Sequence, residues 1–254
     1  MAFNGASAFV LLIFSGFLAD LNWRIPFLIH LTALAFIPLL IVALYEPKLI
    51  EKTKSSTVSV HLPIKLLTII YGLTFIAMTI FHMVPVQLSY HLEQQIGASG
   101  LQIGIVFALS SISSTLSASF YGKVKRRLEY VQIMGLVLGT LGFGFDIIGF
   151  AGNYTMVLIG SIITGLALGL MMPTFTAWIT DVPSPEIRGR AVGGSTIAIF
   201  LGQFLCPLWS QPVVNTLSYE TAFVVLGAFV LGLAIILLAA RHSLQQPVTV
   251  SQHR

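Results

Sequence analysis

The stretch QQIGASGLQIGIVFALSSISSTLSASFYGKVKRR, residues 94–127, decides the fold. From Gln94 to Gly122 it carries no Asp, Glu, Lys or Arg; four basic residues then fall in the next five positions. About 20 apolar residues cross the hydrocarbon core as an α-helix. A helix pairs its own backbone polar groups where no water can reach them. A basic cluster at its end marks a cytoplasmic exit.

The same pattern repeats outward in both directions. Residues 1–19, 25–45, 66–92, 147–180, 191–219 and 221–240 are equally free of charged side chains. One further span around 131–151 contains Asp146. Eight transmembrane helices are therefore expected, near 2–20, 25–45, 66–90, 102–121, 131–151, 155–179, 190–210 and 221–240. The short alternating segments of a β-barrel are not visible. Of 254 residues, 56% are hydrophobic and only 9% are charged, with mean hydropathy +0.92. A soluble domain carries about 25% charged residues. The single cysteine, Cys206, excludes an intrachain disulfide.

The basic residues alternate between loops. Lys48, Lys52, Lys54 and Lys65 lie between spans two and three; Lys123, Lys125, Arg126 and Arg127 between four and five; Arg188 and Arg190 between six and seven; Arg241 and Arg254 at the end. The intervening loops hold Arg24 alone. This asymmetry places the basic loops and both termini in the cytoplasm, in the cell (inner) membrane. It also explains the net charge of +4 without nucleic acid. The chain divides into a helical hairpin at 1–45, a cytoplasmic linker at 46–64, six helices at 65–241 and a cytoplasmic tail at 242–254. The uncharged residues before Gly5 lack the positive n-region of a signal peptide.

Candidate functional residues follow from helical spacing. Tyr71, Thr74, Met78, His82 and Pro85 share a face of span three. A polar face inside a membrane points to a water-filled cavity or a neighbouring helix. His82 is a candidate for substrate or proton binding. Ser110, Ser114 and Ser117 share a face of span four, suited to close packing or to a solute path. Gly135, Gly139, Gly142, Asp146 and Gly149 share a face of span five. Asp146 is there a proton or gating candidate, or a carboxylate reaching the outer interface. On span six, Ser161, Gly165 and Gly169 form a packing stripe, while Thr164, Leu168, Met171, Phe175 and Trp178 offer an adaptable apolar face beside Pro173. Ser184 reads as an N-cap with Pro185 at the first helical position. Gln203 on span seven is a candidate cavity hydrogen-bonder. No zinc spacing, P-loop or nucleophile elbow occurs, so neither an enzyme nor a cofactor is expected.

FSGFLADLNWRIPFLI (14–29) followed by EPK (46–48) resembles the end of the N-terminal half of major facilitator superfamily transporters. ITDVPSPEIRGRAVGGSTIAIFLGQFLCP (179–207) resembles that family's loop and helix between spans ten and eleven, carried by Pro185, Arg188, Gly189, Ala191 and Gly194. YGKVKRR (121–127) sits where the second half repeats the family's basic loop. The resemblance aligns the chain with spans five to twelve of twelve, making it an all-α membrane protein with an N-terminally truncated family bundle. Met1 then resembles an internal methionine. Residues 8–19 keep Gly16 but lack the proline of the Gly-Pro-Gly-Gly type motif found in proton-coupled drug exporters.

The resemblance implies secondary transport of a small solute by alternating access, efflux-type and ion-coupled, with protons as a candidate ion. It also implies cytoplasmic gating ion pairs among Arg126, Arg127, Arg188, Asp181 and Glu186. Four further helices, or another chain, would be needed to complete the cavity, so the 254-residue chain alone is expected not to transport. The alternative is a non-transporting remnant or an accessory membrane subunit.

Overall fold

The computed structural model describes residues 2–43, 64–184 and 187–241. Most of the 46–64 linker, the 242–254 tail, Pro185 and Glu186 lie outside the described residues. Among the described residues there are helices and turns but no strand.

The first expected span is α1 (Ala2–Leu21). The second is broken: α2 (Ile25–Leu28) has Pro26 at its start, a 3₁₀ turn covers Ile29–Leu31, and α3 (Thr32–Ala43) contains Pro38. Proline supplies no N–H to the helical ladder and crowds the preceding turn. The third span is α4 (Ile64–Phe81), a π-helical turn at Val84–Leu88 and α5 (Ser89–Gln94). The rest are α6 (Gly100–Lys125), α7 (Tyr130–Gly149), α8 (Tyr154–Asp181), α9 (Arg188–Leu217) and α10 (Tyr219–Ala239). Six of these spans are long and apolar enough to cross a membrane. α8 stays helical through Pro173, and α9 through Pro207 and Pro212.

Side-chain caps define several ends. Ser99 accepts from the Gln102 amide (3.3 Å), and the Gln102 side chain accepts from the Ser99 amide (2.9 Å), which is a capping box. Asn153 accepts from the Met156 amide (3.0 Å) at the start of α8. The expectation at Ser184 is corrected. α9 begins at Arg188, its N-cap is Ile187, and Ser184 serves only as a backbone acceptor for the Ile187 amide (3.2 Å).

The largest interfaces pair α7 with α10, α6 with α8, α1 with α6, α7 with α8, and α4 with α9. Small residues allow the close approaches. A methyl at Gly142 would lie 2.8 Å from the Gly227 carbonyl oxygen of α10, and one at Gly160 would lie 2.9 Å from the Gly144 oxygen of α7. Phe145, Phe223, Met134 and Leu141 are fully buried among these helices.

α1 lies along α6, where Gly104 brings a would-be methyl within 2.6 Å of the Leu12 carbonyl oxygen. At the far end of this pair, Asp20 accepts from the Gly100 amide (2.6 Å) and the Leu101 amide (2.8 Å). These are two of the N–H groups that the first turn of α6 cannot pair for itself. The apolar side chains of Phe27, Leu31, Phe36, Ile41 and Val42 on α2, the 3₁₀ turn and α3 are exposed.

Candidate functional site

A cavity of about 370 Å³ opens among α1, α4, α6, α8 and α9. Its wall comprises Gly5 and Ala8 of α1; Met78, Phe81 and His82 on and just after α4; Ser111, Ser114, Thr115 and Ala118 of α6; Leu168, Gly169, Met172 and Pro173 of α8; and Gln203 of α9. Among the described residues, no Asp, Glu, Lys or Arg lines it. The wall is mostly aliphatic and thioether surface with a few hydroxyl, amide and imidazole groups, as small-molecule sites generally are.

His82 Nδ1 lies 3.0 Å from the Met78 carbonyl oxygen. A carbonyl only accepts, so Nδ1 carries the hydrogen, and Nε2 of the neutral ring is the acceptor. The Phe81 ring meets the imidazole edge-on at 5.5 Å. Across the cavity, Thr115 donates to the Ser111 carbonyl one turn back (3.0 Å).

Of the residues expected from sequence, Met78, His82, Ser114, Leu168 and Gln203 come together here, beside Gly169 and Pro173. The others lie elsewhere. Tyr71 donates to the Ala191 carbonyl (3.0 Å), tying α4 to α9. Thr74 is fully buried and donates to the Ile70 carbonyl (2.7 Å) of its own helix. Ser117 donates to the Leu166 carbonyl (2.8 Å), and Ser113 to Ile162 (2.9 Å), both across the α6–α8 seam. Methyls at Gly165 and Gly169 would run into α6 at Ser110 and Ser114. The serine-rich helix is thus divided, with one stripe packed on α8 and the other lining the cavity. Met171, Phe175 and Trp178 are core residues, all nearly inaccessible. The cavity-facing side of α8 is instead Leu168, Met172 and Pro173. Ser111, Thr115, Phe81 and Met172 went unread as cavity residues. Ser111 and Thr115 are four apart beside the serines singled out, so the signal was present, but the helix rotation was not.

Asp146 sits on the small-residue face of α7 and meets α10, where a methyl at Gly227 would collide with its Oδ1. That oxygen is buried and has no hydrogen-bond partner.

The ion pair expected between Asp181 and Arg188 is replaced by a different contact. Asp181 accepts a short hydrogen bond from the Tyr130 hydroxyl. The Tyr130 ring stacks on Trp178 at 5.6 Å, 9° from parallel, which aims the hydroxyl one turn along α8 at the carboxylate. Lys125 lies over the other side of Tyr130, 3.9 Å from the ring centroid. Arg126, Arg127 and Arg188 are exposed, and Lys125–Glu129 (3.9 Å) is the ion pair beside them. Glu186 lies outside the described residues.

The all-helical bundle agrees with solved structures. A point mutant of the peptide transporter POT superposes with TM-score 0.57 at 16% identity, over 74% of this chain and 42% of that one. The same transporter in complex with alafosfalin gives 0.52 at 15% identity, over 70% and 37%. At such identities the likeness is one of fold. The MFS-type transporter YuxJ of Bacillus subtilis strain 168 is 27% identical over 125 residues, 47% of this chain and 32% of YuxJ. The chain thus spans about a third of that relative and less than half of the solved transporter. Residues 67–252 match the sequence profile of the Major Facilitator Superfamily. The chain belongs to that superfamily and is an integral membrane protein.

Proposed function

We propose that the chain forms part of a secondary active transporter, and that the cavity among α1, α4, α6, α8 and α9 is one wall of its solute path. The carrying observation is the convergence of Met78, His82, Ser114, Thr115, Met172 and Gln203 from four helices on one space. The observed helices correspond in this reading to spans five through twelve, with a domain of six spans from α4 to α10 and α1 as the near edge of the opposite half. The exposed apolar sides of α2 and α3 then belong against further helices, from a longer chain or a second one. Substrate sits at the midplane between two halves that rock alternately open in transporters of this design. Efflux coupled to a proton gradient is the mode we assign, with His82 as the cavity's titratable group. Both termini face the cytoplasm, in the cell membrane.

Cysteine labelling in membranes tests the cavity directly. In a Cys206→Ser background, single cysteines at Ser114, Thr115, Met172 and Gln203 should react with a membrane-impermeant maleimide. Cysteines at Met171 and Ser117, which are buried, should not. Equal protection of all six positions would refute a water-filled solute path.

A further inference from the structure

A second polar group lies apart from the cavity, where α5 meets α9 and α10. His91 is 1% exposed, and neither ring nitrogen has a hydrogen-bond partner. Gln87, one turn earlier on the same side of the helix, is also fully buried. Its Nε2 donates to Ser210 Oγ (2.9 Å) and to Gln211 Oε1 (3.3 Å) of α9, and its Oε1 accepts nothing. Glu220, in the first turn of α10, places Oε1 3.9 Å from His91 Nδ1. That carboxylate is partly exposed and opens the group to water.

Buried polar groups are nearly always paired, and an unpaired one calls for a missing partner. Here the unpaired atoms are complementary. Gln87 Oε1 has no donor among the described residues, while the Glu220 carboxylate, which accepts from Ser218 and from its own backbone amide, stands 3.9 Å from His91 Nδ1. The ring of His91 has two nitrogens, and a protonated ring donates from both. A neutral ring supplies one N–H and leaves one acceptor bare. A bound proton therefore adds an attraction to the Glu220 carboxylate that the neutral ring lacks.

We infer that His91, with Gln87 and Glu220, forms a proton-binding site at the α5–α10 joint, separate from the solute cavity. The proton comes from bulk water by way of the exposed edge of Glu220. A lone pair on the imidazole takes it, and the His91–Glu220 pair passes from net charge −1 to zero. The titratable neighbours facing His91 from α10 are Tyr219, whose ring lies 5.9 Å away, and Glu220. Glu93 and Tyr90 on its own helix are exposed, and α9 presents the uncharged Ser210 and Gln211. The occupied site fastens the end of α5 to the first turn of α10. What such a proton drives rests on the transporter reading; its binding does not.

Histidine-selective ¹⁵N NMR of the full chain in lipid nanodiscs, followed from pH 4.5 to 8.5, reads the site without any substrate. His91→Gln assigns the resonance. The His91 nitrogens are expected to pass from the neutral to the imidazolium pattern. Glu220→Gln, which keeps the shape of the side chain, should displace the midpoint by about one pH unit or more. A ring that stays neutral throughout, with His91→Leu as stable as or more stable than the parent, would show a dry packed histidine and overturn the site. A titration untouched by Glu220→Gln would overturn the pairing. Neither result bears on the cysteine labelling of the cavity, so the two readings fail separately.

Discussion

Gly169→Ala is the substitution whose effect is most directly worked from the α6–α8 seam. A methyl on Gly169 would lie 2.8 Å from Ser117 Cβ and 2.9 Å from the Ala118 amide nitrogen, and would overlap the Ser114 carbonyl oxygen. Two of these three obstacles are backbone and cannot rotate away. Ordinary contact begins near 3.4 Å, so the helices must part by roughly 0.5–1 Å, and overpacking of this kind costs about 1–3 kcal/mol. Parting also stretches the cross-helix bonds of Ser117 (2.8 Å) and Ser113 (2.9 Å) beyond good hydrogen-bond length. Each such bond contributes about 0.6 kcal/mol in a membrane protein. Alanine returns about 0.5–1 kcal/mol through its better helix propensity. The net expectation is a loss of roughly 1–3 kcal/mol. The assay is reversible unfolding in mixed micelles by SDS titration, with helicity read by circular dichroism. Gly139→Ala is the matched control, because a methyl there meets nothing within 4 Å. It should be neutral or gain up to about 1 kcal/mol. If the two variants unfold together, the close α6–α8 approach does not govern stability and the reasoning fails.

Two further predictions concern hydrogen bonds between helices. Asp20→Ala strips the acceptor from the Gly100 and Leu101 amides, and loss of a cap costs about 0.5–2 kcal/mol. Hydrogen exchange at those two amides should quicken by roughly 2- to 30-fold, while the Asn153-capped start of α8 is unchanged. Ser117→Ala should destabilise by about 0.6 kcal/mol, no more than about 1.7. Ser119→Ala is its control, since that hydroxyl bonds only to the Thr115 carbonyl of its own helix (2.9 Å) and should change nothing measurable.

The order of helices was legible because most spans are long uncharged runs and the basic residues fall in alternate loops. Those signals survive without knowledge of packing. Breaks within spans were harder to read. Pro26 opens the short α2 just before the 3₁₀ turn that breaks the second span, yet Pro38, Pro173, Pro207 and Pro212 leave their helices continuous. The sequence marks the missing donor but not whether neighbours hold the helix together around it. Half-legible was the cavity. Met78 and His82 on span three and Gln203 on span seven stood out as polar or polarizable groups in apolar runs. On α6, by contrast, hydroxyls occupy nearly every face, so period alone could not tell the stripe against α8 from the stripe against open space. The same ambiguity put Met171, Phe175 and Trp178 forward alongside Leu168; Leu168 lines the wall with Met172, while the other three are core. Asp181 was expected to meet an arginine because the family resemblance implies gating ion pairs there. The stacking of Tyr130 on Trp178, which no spacing within α8 discloses, put a hydroxyl there first.

The Asp20 contact has a consequence for the order of assembly. Asp20 and Gly100 are 80 residues apart in sequence, and the second and third spans are made between them. α1 leaves the ribosome first and must wait in the bilayer with its carboxylate at the water's edge. α6 enters later with its first amides still in search of acceptors. When the two helices meet, an acceptor that arrived early completes a helix that arrived late. The contact therefore acts as a checkpoint on insertion depth: if either helix sits one turn too high or too low, about 5 Å, the carboxylate and the amides miss each other.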